Sequence, residues 1–191
     1  MNQVASGIVR ADDALCVLVD MQTSLADVMS TRSETVAAAR LLVRTALRLG
    51  IPLIVTRQNP AKLGDTVPEL LEALGAHIPV DKMTFDSLAE PGFEARLEES
   101  GRRTVVVAGM ETHICVLQTA LGLVRAGYAV HVVADATCSR READRAVALD
   151  RLRGAGVVVT SAEQVVYEAL GEAGTSAFRE VLRFVKERDS A

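Results

Sequence analysis

Short, apolar, β-branched runs recur along this chain, and a stretch with helical spacing follows each one. The runs cover residues 14–19, 52–56, 78–80, 104–108, 129–134 and 157–160. They are too short for helices and lack polar alternation, so they read as strands buried on both faces. Few folds accommodate strand and helix alternating in this way. The pattern predicts a parallel sheet, joined by right-handed crossovers and covered by helices on both faces. The expected fold class is α/β: a Rossmann-like three-layer α/β/α sandwich with a mainly parallel six-stranded sheet. The chain has 191 residues and 49% of them are hydrophobic, enough to bury one such core. No linker, repeat or low-complexity segment interrupts it, so a single domain over residues 1–191 is expected, with residues 1–13 a polar lead-in.

Helix ends carry their own signals. Thr31-Arg-Ser-Glu34, Ser139-Arg-Arg-Glu142 and Ser161-Ala-Glu-Gln164 match the capping-box pattern. Pro68 and Pro91 suit first helical positions. Gly50, Gly101, Gly127 and Gly154 fall where helices should stop. Thr175 is placed to cap a last helix, in which Phe178, Val181, Leu182 and Val185 recur at helical spacing. Residues 57–67 and 83–90 read as irregular.

Composition removes several functions. A net charge of −4 with no basic block argues against nucleic acid and against an anionic membrane surface. No run approaches the length of a membrane span, and the first apolar run ends at Asp20, unlike a signal peptide. Cys16, Cys115 and Cys138 are odd in number and widely spaced, which suits a reduced, cytoplasmic setting. No GxGxxG follows the first run, so dinucleotide binding is poorly supported.

In such a sheet, ligands gather at the carboxyl ends of the strands, near the point where strand order reverses. Asp20, Lys82 and Cys115 all fall at or just past such ends. Gly109 to Thr112 reads as a turn, with Thr112 capping a helix over residues 113–126 and Cys115 in its first turn. The positive end of that helix favours a thiolate. A carboxylate and an ammonium beside the sulfur would supply a proton acceptor and a stabilising charge. Free first-turn amides could bind an oxyanion. Each residue also has an ordinary reading: core cysteine, turn aspartate, surface lysine.

Asp20-Met-Gln22, Lys82 before Met83-Thr-Phe85, and Gly109-Met-Glu-Thr-His-Ile-Cys-Val116 together resemble the isochorismatase-like cysteine hydrolases. The likeness runs from about residue 12 to 187 and is nearest the isochorismatase domain-containing branch. It implies Cys115 as nucleophile, Asp20 as general base and then acid, and Lys82 as stabiliser of the thiolate. It implies a cis peptide between Met110 and Glu111, with the Glu111 and Cys115 amides as oxyanion donors. The implied reaction is hydrolysis of an amide-like C–N bond of a small molecule through a thioester, without a cofactor. Family members that bind a metal carry an Asp and two His after the second strand. Arg57-Gln58-Asn59 stands there in this chain, so no metal site is expected.

Gln22, Gln58 and Phe85 leave the same strand ends and are the expected substrate contacts, with Met21 and Met83 beside them. Glu111 reads as solvent-facing, His113 as an ordinary first-turn residue, and Cys138 as a small buried residue or a second thiol near the mouth. A homo-oligomer, dimer or larger, is the family expectation. Two other functions remain open at this point: a catalytically idle scaffold, and a thiol redox sensor that would need Cys138 as resolving partner.

Overall fold

The computed structural model describes residues 7–189, so the lead-in and the outer bounds of the expected domain lie partly outside the described residues. In chain order the elements are β1 (Ala14–Val19), α1 (Thr23–Ala26), α2 (Arg32–Leu49), β2 (Leu53–Gln58), α3 (Pro60–Leu63), α4 (Pro68–Leu74) and β3 (Val80–Lys82). Then follow α5 (Pro91–Glu99), β4 (Thr104–Met110), α6 (Leu117–Arg125), β5 (Ala129–Cys138), α7 (Glu142–Gly154), β6 (Val158–Thr160), α8 (Ala162–Leu170) and α9 (Ser176–Asp189).

All six strands join one sheet in the order β3-β2-β1-β4-β5-β6, and every neighbouring pair is parallel. The chain starts in the middle, winds out to β3, returns to β4 and winds out again to β6. Strand order therefore reverses between β1 and β4. The three-layer α/β class read from the sequence is the class observed. One core lies under α2, α4, α8 and α9, with Leu41, Leu42, Leu70 and Val165 packed on Cys16, Leu18 and Val106. The other lies under α5, α6 and α7, with Phe93, Leu97, Leu123 and Leu152 packed on Leu15, Val17 and Val107.

Several local expectations are corrected. β3 begins two residues later than its apolar run suggests, leaving Ile78 exposed. Its partner is the end of β2, where Thr56 to Gln58 pair with Val80 to Lys82. β5 runs through Cys138, because an irregularity opposite Val107 to Gly109 takes up extra residues and pairing then resumes at Thr137. That irregularity turns Asp135 outward, where it accepts from the Ala162 N–H at the start of α8. The irregular stretch at 57–67 contains the single turn α3.

Of the three capping boxes only one forms. Ser161 and Gln164 bond reciprocally at the start of α8. Thr31 lies at φ −104°, ψ 26°, outside the extended cap conformation, and its hydroxyl faces Thr35. Ser139 lies just past the end of β5 with its hydroxyl paired to His113 Nδ1, and α7 starts after Arg141 instead. Thr175 caps α9 as expected, accepting from the Phe178 N–H at 3.0 Å.

Candidate active site

The carboxyl ends of β1 and β4 lie side by side at the reversal point, with Val19 in register with Gly109. Only glycine fits at that register position. Its φ is +145°, and a Cβ there would stand 2.1 Å from the Val19 carbonyl oxygen. Just past β1, Asp20 adopts φ 51°, a left-handed conformation in which aspartate is enriched. Its N–H donates to the Thr56 carbonyl at 3.2 Å and to Thr56 Oγ1 at 3.3 Å. The Thr56 hydroxyl donates in return to Asp20 Oδ1 at 2.7 Å.

Lys82 reaches the same carboxylate from β3. Its Nζ donates to Asp20 Oδ2 at 2.6 Å, and the side chains of both partners are 0% exposed. The ammonium also donates to Gln58 Oε1 at 2.8 Å and to the Thr84 carbonyl at 3.2 Å. Gln58 is the register partner of Lys82.

After β4 the chain passes a cis peptide between Met110 and Glu111 and enters a single π turn, Thr112–Val116. Cys115 lies in this turn and is 5% exposed. Its thiol sits beside both Asp20 and Lys82. The sheet thus brings together three groups that are far apart in sequence.

Two expectations about the thiol are corrected. Thr112 does not cap a helix: its hydroxyl is buried without a partner, and the α-helix α6 starts only at Leu117. Nor is the thiol acidified. Burial pushes it up to about 12, the Asp20 charge adds to the rise, and Lys82 opposes it. Loss of hydration and a carboxylate neighbour outweigh the cation and the helix end.

The expected substrate contacts separate into three environments. Gln22 is fully buried, and its amide is committed to backbone: Nε2 donates to Gln58 O at 3.0 Å and Gly64 O at 2.7 Å, and Oε1 accepts from Gln58 N–H at 2.7 Å. It ties two loops together and has no amide hydrogen left for a ligand. The Gln58 side chain is held between Lys82 and the Met83 carbonyl. Phe85 is 52% exposed and stands with Met83 on the open loop after β3.

Glu111 is not solvent-facing. Its carboxylate is buried and accepts from the Arg140 N–H at 2.9 Å and from Arg140 Nε at 3.1 Å, which pins the turn to the end of β5. His113 Nδ1 pairs with Ser139 Oγ at 2.9 Å. Cys138 is fully buried, and burial pushes its thiol up to about 11. Thr56 is the site residue that sequence reasoning missed. Among the described residues, no cluster of three or more His, Cys, Asp or Glu is placed to hold a metal ion.

Fold and site together define a class: a doubly wound α/β domain with a buried thiol, carboxylate and ammonium at its switch point. Residues 14–164 match the Isochorismatase domain, and the chain belongs to the isochorismatase family. Isochorismatase domain-containing protein 1 of Salmo salar is 39% identical over 168 residues, covering 87% of this chain and 59% of that protein. This chain therefore spans less than two thirds of the length of that relative. The solved MAR1 ribonuclease of Caenorhabditis elegans superposes with a TM-score of 0.88 at 33% identity, covering 94% of this chain and 93% of the other. The YcaC gene product of Escherichia coli, described as an octameric hydrolase of unknown specificity, shares the fold. Its TM-score is 0.84 at 22% identity, covering 95% of this chain and 92% of the other.

Proposed function

We propose that the protein hydrolyses an amide-like C–N bond of a small molecule, with Cys115 as nucleophile, Asp20 as proton carrier and Lys82 as the cation that steadies both. One observation carries this reading: the convergence of these three side chains in a water-excluded cluster, with Lys82 and Asp20 2.6 Å apart. A thiol held near 12 is a poor nucleophile until its proton has somewhere to go, and Asp20 is the acceptor beside it.

In the proposed cycle, the Cys115 proton passes to Asp20 as the sulfur attacks the carbonyl carbon. The oxyanion is received by the backbone N–H groups of Glu111 and Cys115. Asp20 returns the proton to the leaving nitrogen, the C–N bond breaks and a thioester remains. Asp20 then takes a proton from water, whose oxygen attacks the thioester. Collapse expels the sulfur, which recovers its proton from Asp20, and the acid product departs. Every step is a proton transfer or an acyl transfer and needs no redox partner.

Burial weakens the redox-sensor reading, which needs Cys138 as an accessible resolving partner, because Cys138 is fully buried. The ribonuclease name of the Caenorhabditis elegans relative does not transfer easily. This chain has a net charge of −4, and a polyanion would gain little attraction from it. A homo-oligomer is part of the proposal, supported by the octameric description of the Escherichia coli protein and by the exposed Met83 and Phe85 beside the site.

A panel of small amides, assayed for released ammonia or amine, tests the reading. Cys115→Ala should reduce turnover of any active substrate to background while leaving the circular dichroism spectrum unchanged. Retained turnover in that variant would rule out the mechanism.

A further inference from the structure

A lysine ammonium has three N–H donors. At Lys82 all three already have oxygen acceptors: Asp20 Oδ2 at 2.6 Å, Gln58 Oε1 at 2.8 Å and Thr84 O at 3.2 Å. The sulfur of Cys115 also lies within hydrogen-bonding reach of Lys82, so it must share a hydrogen with one of these oxygens. For Lys82 to give the sulfur a full hydrogen bond, one of the three oxygens must loosen its hold. Asp20 is the ion-pair partner, and Thr84 contributes main chain. Gln58 supplies the neutral side-chain acceptor of the three.

Gln58 is also held unusually firmly. Its Nε2 donates to the Met83 carbonyl at 3.0 Å. Its main-chain N–H and C=O both pair with the amide of Gln22, at 2.7 and 3.0 Å, as a further strand would pair. Gln22 is itself anchored through Gly64 O at 2.7 Å. The acceptor oxygen therefore swings away only by breaking the Nε2 bond to Met83 O, from a main chain that Gln22 holds in place.

We infer that Gln58, clamped by Gln22, is a positioning residue that competes with Cys115 for a Lys82 hydrogen and so favours the resting thiol until substrate arrives. This rests on the reading of Cys115 as nucleophile. It also turns two residues expected to contact substrate into parts of the proton machinery. When the Cys115 proton moves to Asp20, Lys82 turns one N–H from oxygen to sulfur, and Gln58 sets how readily that exchange occurs.

The test needs no substrate. The 191-residue chain is alkylated with iodoacetamide across a pH series, and labelled peptides are identified by mass. Gln58→Met keeps the side-chain length and removes the carbonyl. A freed, charge-assisted donor should speed Cys115 labelling roughly tenfold near neutral pH and move the rate curve to lower pH. Cys16 and Cys138 should stay unlabelled, which a loosened fold would not allow. Gln22→Met should move the curve the same way by less. If labelling of Cys16 and Cys138 shows that Gln58→Met has lost its fold, the Gln22→Met curve decides by the same criterion. Unchanged curves, or curves moved to higher pH, overturn this inference alone. Absence of Cys115 labelling at every pH in the unsubstituted protein overturns the nucleophile reading and this inference with it.

Discussion

A carboxylate and an ammonium sealed from water are stable only as a pair. Asp20 and Lys82 are both fully buried, and each carries further hydrogen bonds, from Thr56 on one side and to Gln58 and Thr84 on the other. Removing one charge leaves the other desolvated and unmatched, at a cost of about 3–5 kcal/mol. Lys82→Met should therefore lower the unfolding free energy by about that amount in urea titrations, and the double variant Asp20→Asn, Lys82→Met should regain part of it. A single variant within about 1 kcal/mol of the unsubstituted protein would mean that the pair is not sealed as described. The strand-end positions of Asp20, Lys82 and Cys115 were legible from hydrophobic pattern, and the family resemblance singled these three out among the residues at such positions. The partners that hold them were not legible. Thr56 faces Asp20, and Gln22 turns back onto the end of β2, only because of strand register, which no local pattern encodes. The state of the thiol was misread for a related reason. Helix position is visible in sequence, whereas the burial that pushes Cys115 up to about 12 is a property of the assembled site.

Strands and helices were legible in outline and less so at their ends. Five of the six apolar runs became strands over most of their length, since burial on both faces demands uninterrupted apolar sequence, whereas the 78–80 run gave β3 only Val80. β3 and β5 shifted or lengthened because pairing partners, not composition, decide where a ladder stops. Capping boxes show the same limit. Three matched the pattern, but the motif works only when the cap residue is extended and its hydroxyl is unclaimed. Ser161 meets both conditions at φ −114°, ψ 160°, whereas Thr31 does not. Ser161→Ala should therefore cost about 1 kcal/mol of stability, and Thr31→Ala less than about half of that. Thermal unfolding of the two variants side by side checks this. An equal or larger loss at Thr31 would show that its hydroxyl has a role the geometry does not reveal.

At the scale of the whole molecule, the chain begins at the centre of the sheet and winds outward in both directions, which leaves β1 and β4 adjacent at the reversal. That topology is why a residue at position 20 and one at position 115 share a site. It also places β5 deep in the structure, between β4 and β6, with His131 on it only 3% exposed. Both ring nitrogens of His131 are buried without hydrogen-bond partners among the described residues. Burial lowers its pKa below 6.5, with the charge of Glu168 pulling weakly the other way. The unfolded chain, whose histidines titrate near 6.5, then binds a proton at pH values where the folded chain does not. Stability rises with pH wherever the unfolded state holds more protons. The folded state should accordingly be at full strength above about pH 6.5 and should weaken on acidification below it, by up to about 1.4 kcal/mol per pH unit for one such group. The lowered carboxylates Asp12, Asp65, Glu69 and Glu187 start from ordinary values of 3.8 for Asp and 4.5 for Glu, so they contribute to acid loss only at lower pH. Urea midpoints measured between about pH 7 and 5, compared with those of a His131 variant, should thus report on His131. His131→Leu, which fills the same apolar space without a titrating ring, should flatten the curve over that interval. A slope that survives the substitution would place the acid sensitivity elsewhere in the fold.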